Sequence, residues 1–262
     1  MPPIIYEKKD RIALITINRP ERRNALNFEA FGLLAKAWLD FRDDPDLWVA
    51  IITGAGDKAF CAGNDLKYHA EIQKKTGKRP VHPAKGFGGL ANRFDLDKPV
   101  IAAVNGVAMG GGFEIALASD IIIASDKATF ALPEPKVGLA AGAGGMQRLS
   151  RMIPLKKAMG MLLTGRHVPA KEGYELGFVT EVVPHAELMA AARRWAEAIL
   201  ACSPMSVRAT KQVVMRALDV PTLEVAMHNL HYPAFVAMTR SEDTIEGPRA
   251  FAEKRKPDWK GR

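Results

Sequence analysis

Cysteine is nearly absent from this 262-residue chain, with Cys61 and Cys202 the only two. That is too few for a disulfide framework or a thiolate metal cluster, and it fits a reducing compartment. No apolar run is long enough to span a bilayer, so no membrane association is expected. The first residues run straight into strand-like sequence, without the charged start, apolar stretch and cleavage site of a secretory signal, so a cytoplasmic location is expected. The six histidines show no ligand spacing. His228 and His231, three apart on an expected helix, read as surface or interface, and no metal is expected. No repeat of fixed period points to a solenoid. An excess of 37 basic over 29 acidic residues suits a phosphate-bearing partner of some kind. The basic residues are not interleaved with aromatics, which argues against nucleic acid.

What the chain does have is hydrophobic content, 48% of residues, enough for one large core or a core with a small appendage. The stretch that organises the rest is Asn105-Gly106-Val107-Ala108-Met109-Gly110-Gly111-Gly112-Phe113-Glu114. An apolar strand, Pro99 to Val104, runs into three glycines and then a carboxylate one turn into a helix. Glycines at a helix start leave N–H groups bare, and the helix dipole adds partial positive charge, so the place suits an oxygen gaining negative charge. A tight strand-to-helix turn is the plain alternative. Glu114 has apolar neighbours on several sides (Phe113, Ile115, Ala116, Leu117), which predicts an enclosed carboxylate. Downstream, Glu134 is framed by Pro133 and Pro135, and Gly142 to Leu149 supplies a second glycine-opened helix.

In chain order, Ile4 to Glu7 and Ile12 to Asn18 read as a hairpin, followed by a polar loop over 19–27. Phe28 to Phe41 is an amphipathic helix with Phe31, Leu34, Ala35, Trp38 and Leu39 at helical spacing. Val49 to Thr53 is a buried strand. The glycines of Gly54-Ala55-Gly56-Asp57-Lys58-Ala59 mimic a dinucleotide-binding fingerprint, which is rejected because no helical periodicity follows and no strand-end acid stands at the required distance. A short helix is expected over Asn64 to Glu71, then a surface excursion or lid over 72–92. Ile121 to Ala124 and Thr129 to Ala131 read as strands, Gly142 to Met152 and Leu155 to Leu163 as helices, and Val179 to Val183 as a last strand. Helices are expected at Leu188 to Leu200, Ser206 to Leu218, Thr222 to Val236 and about Thr244 to Lys254.

Lys98 to Gly106, the triple glycine with Glu114, Pro133-Glu134 and Gly142 to Leu149 together resemble the enoyl-CoA hydratase/isomerase (crotonase) superfamily, over the whole chain. The resemblance implies an α/β fold: a crotonase-like spiral of strand-strand-helix units over residues 1–203, with a C-terminal helical region over 204–262 that assembles trimers or dimers of trimers. It implies an acyl-CoA substrate with coenzyme A as part of it, no permanently bound cofactor, and a setting in fatty acid metabolism such as β-oxidation.

For residue roles, the resemblance implies an oxyanion hole from the backbone N–H groups of Asn64 and Gly111. The first site departs from the usual Ala-Gly-Ala-Asp, reading Ala62-Gly63-Asn64-Asp65, but only the N–H is used. It implies Glu134 exchanging the α-proton and Glu114 helping to hold water. It also implies CoA contacts along Arg23, Ala25, Leu26, Ala62, Asp65, Leu66 and Lys67, with Phe251 and Lys254 reaching over from a neighbouring subunit. Hydrating a trans-2-enoyl-CoA is the main expectation. Superfamily isomerases typically rely on one acid/base, so two carboxylates favour hydratase or dehydratase over isomerase. Phe41 to Pro45 with Val49 to Gly56, and Ser241 to Pro248 through Trp259 to Arg262, are similar to carnitinyl-CoA dehydratases, which would hydrate crotonobetainyl-CoA. RNA binding, known for some superfamily members, is the rival of another class.

Overall fold

The computed structural model describes residues 1–77 and 86–262. Two strands open the chain, β1 (Ile4–Lys9) and β2 (Ile12–Ile17), joined as the expected hairpin by a two-residue turn. Asp10 and Arg11 both take positive φ (53° and 64°), the backbone a right-twisted hairpin needs at both central positions. Next come α1 (Phe28–Asp43), β3 (Val49–Gly54), β4 (Ala59–Cys61) and α2 (Leu66–Thr76). They are followed by β5 (Val100–Val104), β6 (Val107–Met109) and α3 (Gly111–Ala118), then β7 (Ile121–Ser125), β8 (Thr129–Ala131) and α4 (Gly145–Met152). This is the strand-strand-helix spiral: in each turn the first strand joins a six-stranded sheet, order β1-β2-β3-β5-β7-β10, where β10 is Glu181–Val183. The second strand joins a four-stranded sheet, order β4-β6-β8-β9, with β9 at Val168–Pro169.

From β2 onward the large sheet is parallel, and both of its faces are covered. Alternation along each strand sorts the side chains. Ala13, Ile15, Ala50, Ile52, Ala102 and Val104 face the main core with α1 and α3. Ile12, Val49, Ile51, Ile101, Ala103 and Ile123 face α7 (Leu188–Leu200). Asn27 caps α1 by accepting from the Ala30 N–H (3.0 Å). The helix buries Phe31, Leu34 and Trp38 as its spacing predicts, but Leu39 lies on the exposed side, where Ala37 and Phe41 take the inward positions.

Several expectations change. Helix α2 runs to Thr76, past Glu71. The expected excursion over 72–92 is therefore shorter at both ends: 72–76 are helix, and Phe87 to Ala91 are buried against α1, where Trp38 Nε1 donates to the Gly88 carbonyl (3.0 Å). Any lid over 78–85 lies outside the described residues. Strand β6, three residues long, precedes the glycine turn, and α6 (Ala170–Leu176) stands after α5 (Leu155–Thr164) where no element was expected. Helix α4 starts at Gly145, after Gly142 to Gly144. The helix expected over Thr222 to Val236 is two, α9 (Leu223–His228) and α10 (Pro233–Thr239), because Pro233 has no N–H to continue the first and starts the second. Helices α8 (Pro204–Ala217), α10 and α11 (Glu242–Ala252) pack beside one another at the C-terminal end. Among the described residues no helix is long and apolar enough to cross a membrane.

Candidate active site

The glycine-spaced loop after β3 is clamped, not open. Asn24 Nδ2 donates to the carbonyls of Ala55 and Ala59, and Asn105 Nδ2 donates to those of Gly56 and Ala59. A strand follows it instead of a helix, in agreement with rejecting a dinucleotide fingerprint. This clamp fixes β4, and with it the turn Ala62-Gly63-Asn64-Asp65. Leu26 N–H donates to the Gly63 carbonyl (2.8 Å) and Asp65 N–H to the Leu26 carbonyl (3.0 Å), so Asn64 forms an isolated parallel bridge with Leu26 and directs its own N–H to the other side. Arg19 pins the arrangement: its guanidinium donates to the Ala25 carbonyl and pairs with the buried Asp65 carboxylate (3.0 Å), which also caps α2. Against the desolvation that would raise it, the Tyr68 N–H and then the Arg19 guanidinium hold the Asp65 pKa below its ordinary value.

Gly63 (φ +88°) brings this turn against the start of α3: a Cβ there would lie 3.3 Å from the Gly111 nitrogen and 2.8 Å from the Met109 carbonyl oxygen. Gly111 opens α3, and first-turn N–H groups have no acceptor within their own helix. A side chain at Gly111 would overlap the Phe87 ring, so glycine is required for that ring to wall the site. Thus the two expected oxyanion donors, from segments 47 residues apart, do share one place, with a helix N-terminus behind them.

Both expected carboxylates border it. Glu114, 3% exposed, lies one turn into α3 and accepts from the Gly145 N–H (2.9 Å) at the start of α4. Burial, together with the nearby charge of Glu134, pushes its pKa up to about 7, against the opposing pull of the Gly145 N–H. Glu134 begins a single helical turn after Pro133, and its Oε1 lies 2.8 Å from where a Cβ on Gly110 would be. Its Oε2 is buried and accepts no hydrogen bond among the described residues, and burial raises its pKa as well. Sequence reasoning missed Arg148. Its Nη2 donates to the Ala91 carbonyl (2.7 Å), its guanidinium stacks over Phe94, and its charge opposes the rise of Glu114. The i+3 step from Gly145 was the signal available.

Of the other residues the resemblance pointed to, Arg23, Ala25, Leu26, Ala62 and Asp65 meet in one backbone network, since Ala62 N–H also donates to the Arg23 carbonyl (3.0 Å). Leu66 and Lys67 follow on the exposed first turn of α2. Phe251 (87% exposed) and Lys254 lie at the end of α11, which packs chiefly on α10, and the chain itself does not bring them to this network. Burial pushes the Cys61 thiol up to about 12, which makes it inert packing. Among the described residues no three His, Cys, Asp or Glu side chains come together as a metal site.

The model of the enoyl-CoA hydratase/isomerase family matches residues 7–262. This chain belongs to that family. It is 45% identical over 253 residues to a carnitinyl-CoA dehydratase of Salmonella typhi, covering 95% of this chain and 94% of that one. Among solved structures it is similar to an enoyl-CoA hydratase from Mycobacterium tuberculosis H37Rv (39% identity, all of both chains, TM-score 0.92). It is also similar to a carnitinyl-CoA hydratase from Mycobacterium avium (42% identity, all of both chains, TM-score 0.77).

Proposed function

We propose that this chain catalyses the reversible addition of water to the double bond of a 2-enoyl-CoA thioester. The observation that carries the reading is the convergence of two glutamates with raised pKa values on the place where the Gly63-Asn64 turn meets the N-terminus of α3. The thioester oxygen accepts from the N–H groups of Asn64 and Gly111, which hold the charge that develops as the β-carbon is attacked. A water held by Glu114 delivers its oxygen to the β-carbon and its proton to that carboxylate, while Glu134 supplies a proton to the α-carbon. The reverse sequence eliminates water. Hydration starts with Glu134 protonated and Glu114 ionised and ends the other way round, and the raised pKa of both carboxyls suits them to exchanging protons in either direction. Two acids poised for separate protons favour hydration over double-bond isomerisation.

The CoA portion runs along Arg23, Ala25, Leu26, Ala62, Asp65, Leu66 and Lys67. Phe251 and Lys254 serve the site of a neighbouring copy in a trimer or dimer of trimers. Exposed apolar side chains on α8 and α9, among them Val214, Met215, Leu223 and Met227, support such assembly.

For the acyl group, a γ-trimethylammonium substrate such as crotonobetainyl-CoA ranks ahead of a plain alkyl enoyl-CoA, reversing the order expected from sequence. The 45% identity to a carnitinyl-CoA dehydratase supports this. So does aromatic surface near the site, with the Phe87 ring against Gly111 and Tyr68 packed edge-on to Phe28 (5.7 Å), because quaternary ammonium groups favour aromatic faces. Loss of enoyl absorbance with crotonyl-CoA, longer enoyl-CoAs and crotonobetainyl-CoA tests both levels. A higher kcat/KM for crotonobetainyl-CoA supports the ranking, preference for crotonyl-CoA restores the simpler hydratase, and turnover of none refutes the reaction. RNA that bound above physiological salt and was displaced by CoA would favour the non-catalytic rival.

A further inference from the structure

A cavity of about 290 Å³ lies at the opposite end of β5 from the glycine turn, between the end of α1, the start of β3, α8 and the last residues of the chain. Its cations are Lys98, Arg208 and Arg42. Arg42 is committed, pairing with Asp43 (2.7 Å), the one acidic residue of the lining, and with Asp95 (2.6 Å). Lys98 is 5% exposed, and its Nζ donates to the carbonyls of Phe41 (2.8 Å) and Asp44 (2.6 Å), so it closes the C-terminal end of α1. Asp44 gives its carboxylate to Lys8 instead. Arg208 differs from both. Its Nε is buried, and its guanidinium donates to no acceptor among the described residues.

Arg208 as a whole is half-buried, and its sealed Nε–H is a donor that an acceptor entering the cavity would satisfy. The Arg208 charge is felt at Lys98, whose pKa falls to about 8 through burial first and that charge second. The remaining walls are apolar, from Pro45, Leu47 and Trp48, and the Trp48 ring is fixed by the Arg11 guanidinium stacked 3.7 Å from its centre. The volume exceeds what a bare inorganic anion fills.

We propose that this cavity binds a small organic acid, its carboxylate held by Arg208 and Lys98 and its short hydrocarbon body lying along Pro45, Leu47 and Trp48. The site is independent of the reaction assigned above.

Titration calorimetry of the full chain with butyrate, against chloride at matched ionic strength, tests it. Saturable binding is expected, weakened about tenfold or more by Arg208→Gln, because a charge-assisted hydrogen bond is lost. Arg208→Lys retains part of the affinity. No saturable binding, or binding that Arg208→Gln leaves unchanged, as it would be for butyrate in the active site, overturns the proposal. Inorganic phosphate binding as tightly as butyrate overturns its organic part. Since Arg208 has no hydrogen-bond partner to lose among the described residues, Arg208→Gln also keeps the melting temperature without ligand. A lower one would show the cation to be structural and contradict the assignment.

Discussion

Glu114 and Glu134 reach one site from opposite kinds of backbone. Glu114 stands on a regular helix in the core, sealed at 3% exposure and tied to the Gly145 N–H. Glu134 stands on a single turn between prolines, half-buried, with one oxygen against Gly110 and the other without a hydrogen bond. The first is positioned by packing and the second by a rigid frame. This difference fits different duties: a bonded carboxylate holds a molecule in place, and an unbonded one is free to exchange a proton.

The largest expected effect breaks the pair outright. Glu134→Gln and Glu114→Gln should each lower kcat by about 10²- to 10⁴-fold, the range for a lost general acid or base. They should separate in isotope exchange: Glu134→Gln abolishes exchange of the α-proton of a bound acyl-CoA with solvent, and Glu114→Gln retains part of it. Equal loss in both would erase the distinction drawn here.

The next effect is on stability against pH. Glu114 ionises near 7 when folded and near 4.5 when unfolded, so between these values the folded chain binds more protons. Its contribution is therefore complete below about pH 4.5 and is lost as pH rises through 7. The difference corresponds to about 3 kcal/mol. Denaturant titrations of wild type and Glu114→Gln from pH 5 to 8 should show a fall with pH in the wild type that the variant lacks.

Glycines give the finest contrast. Gly110 has φ +52° and ψ −124°, and an alanine Cβ would press on Glu134 Oε1 at 2.8 Å. Gly110→Ala should cost about 1–3 kcal/mol from backbone strain and should lower kcat by displacing Glu134. Gly145→Ala, whose Cβ would meet Glu114 Oε1, Ala141 Cβ and Leu132 Cδ1 each at 3.0 Å, should press on Glu114 and not on Glu134 directly, and should shift the pH profile of kcat. Identical kinetic signatures would contradict separate positioning.

The same contrast explains what the sequence disclosed. The enclosure of Glu114 was readable because its neighbours on every side of the helix are apolar, a local property. The parallel strands β2, β3, β5 and β7 of the large sheet were readable for the same reason, as apolar runs rich in β-branched residues. The direction of Glu134 was not readable, since it depends on a glycine 24 residues earlier, at the N-cap of α3. Leu39 was misplaced because a helix turn offers Phe41 as a competing inward position, and only the sheet decides between them. Pro233 was visible but was overruled by the apolar periodicity around it. Arg148 reaches its partners Ala91 and Phe94 across more than fifty residues, and only folding reveals that.

The most direct measurement is a crystal structure with a bound, unreactive acyl-CoA analogue. The thioester oxygen should lie about 3 Å from the backbone nitrogens of both Asn64 and Gly111, with the α-carbon facing Glu134 and the β-carbon facing Glu114. An oxygen held elsewhere, or both carboxylates turned away from the acyl group, would contradict the account.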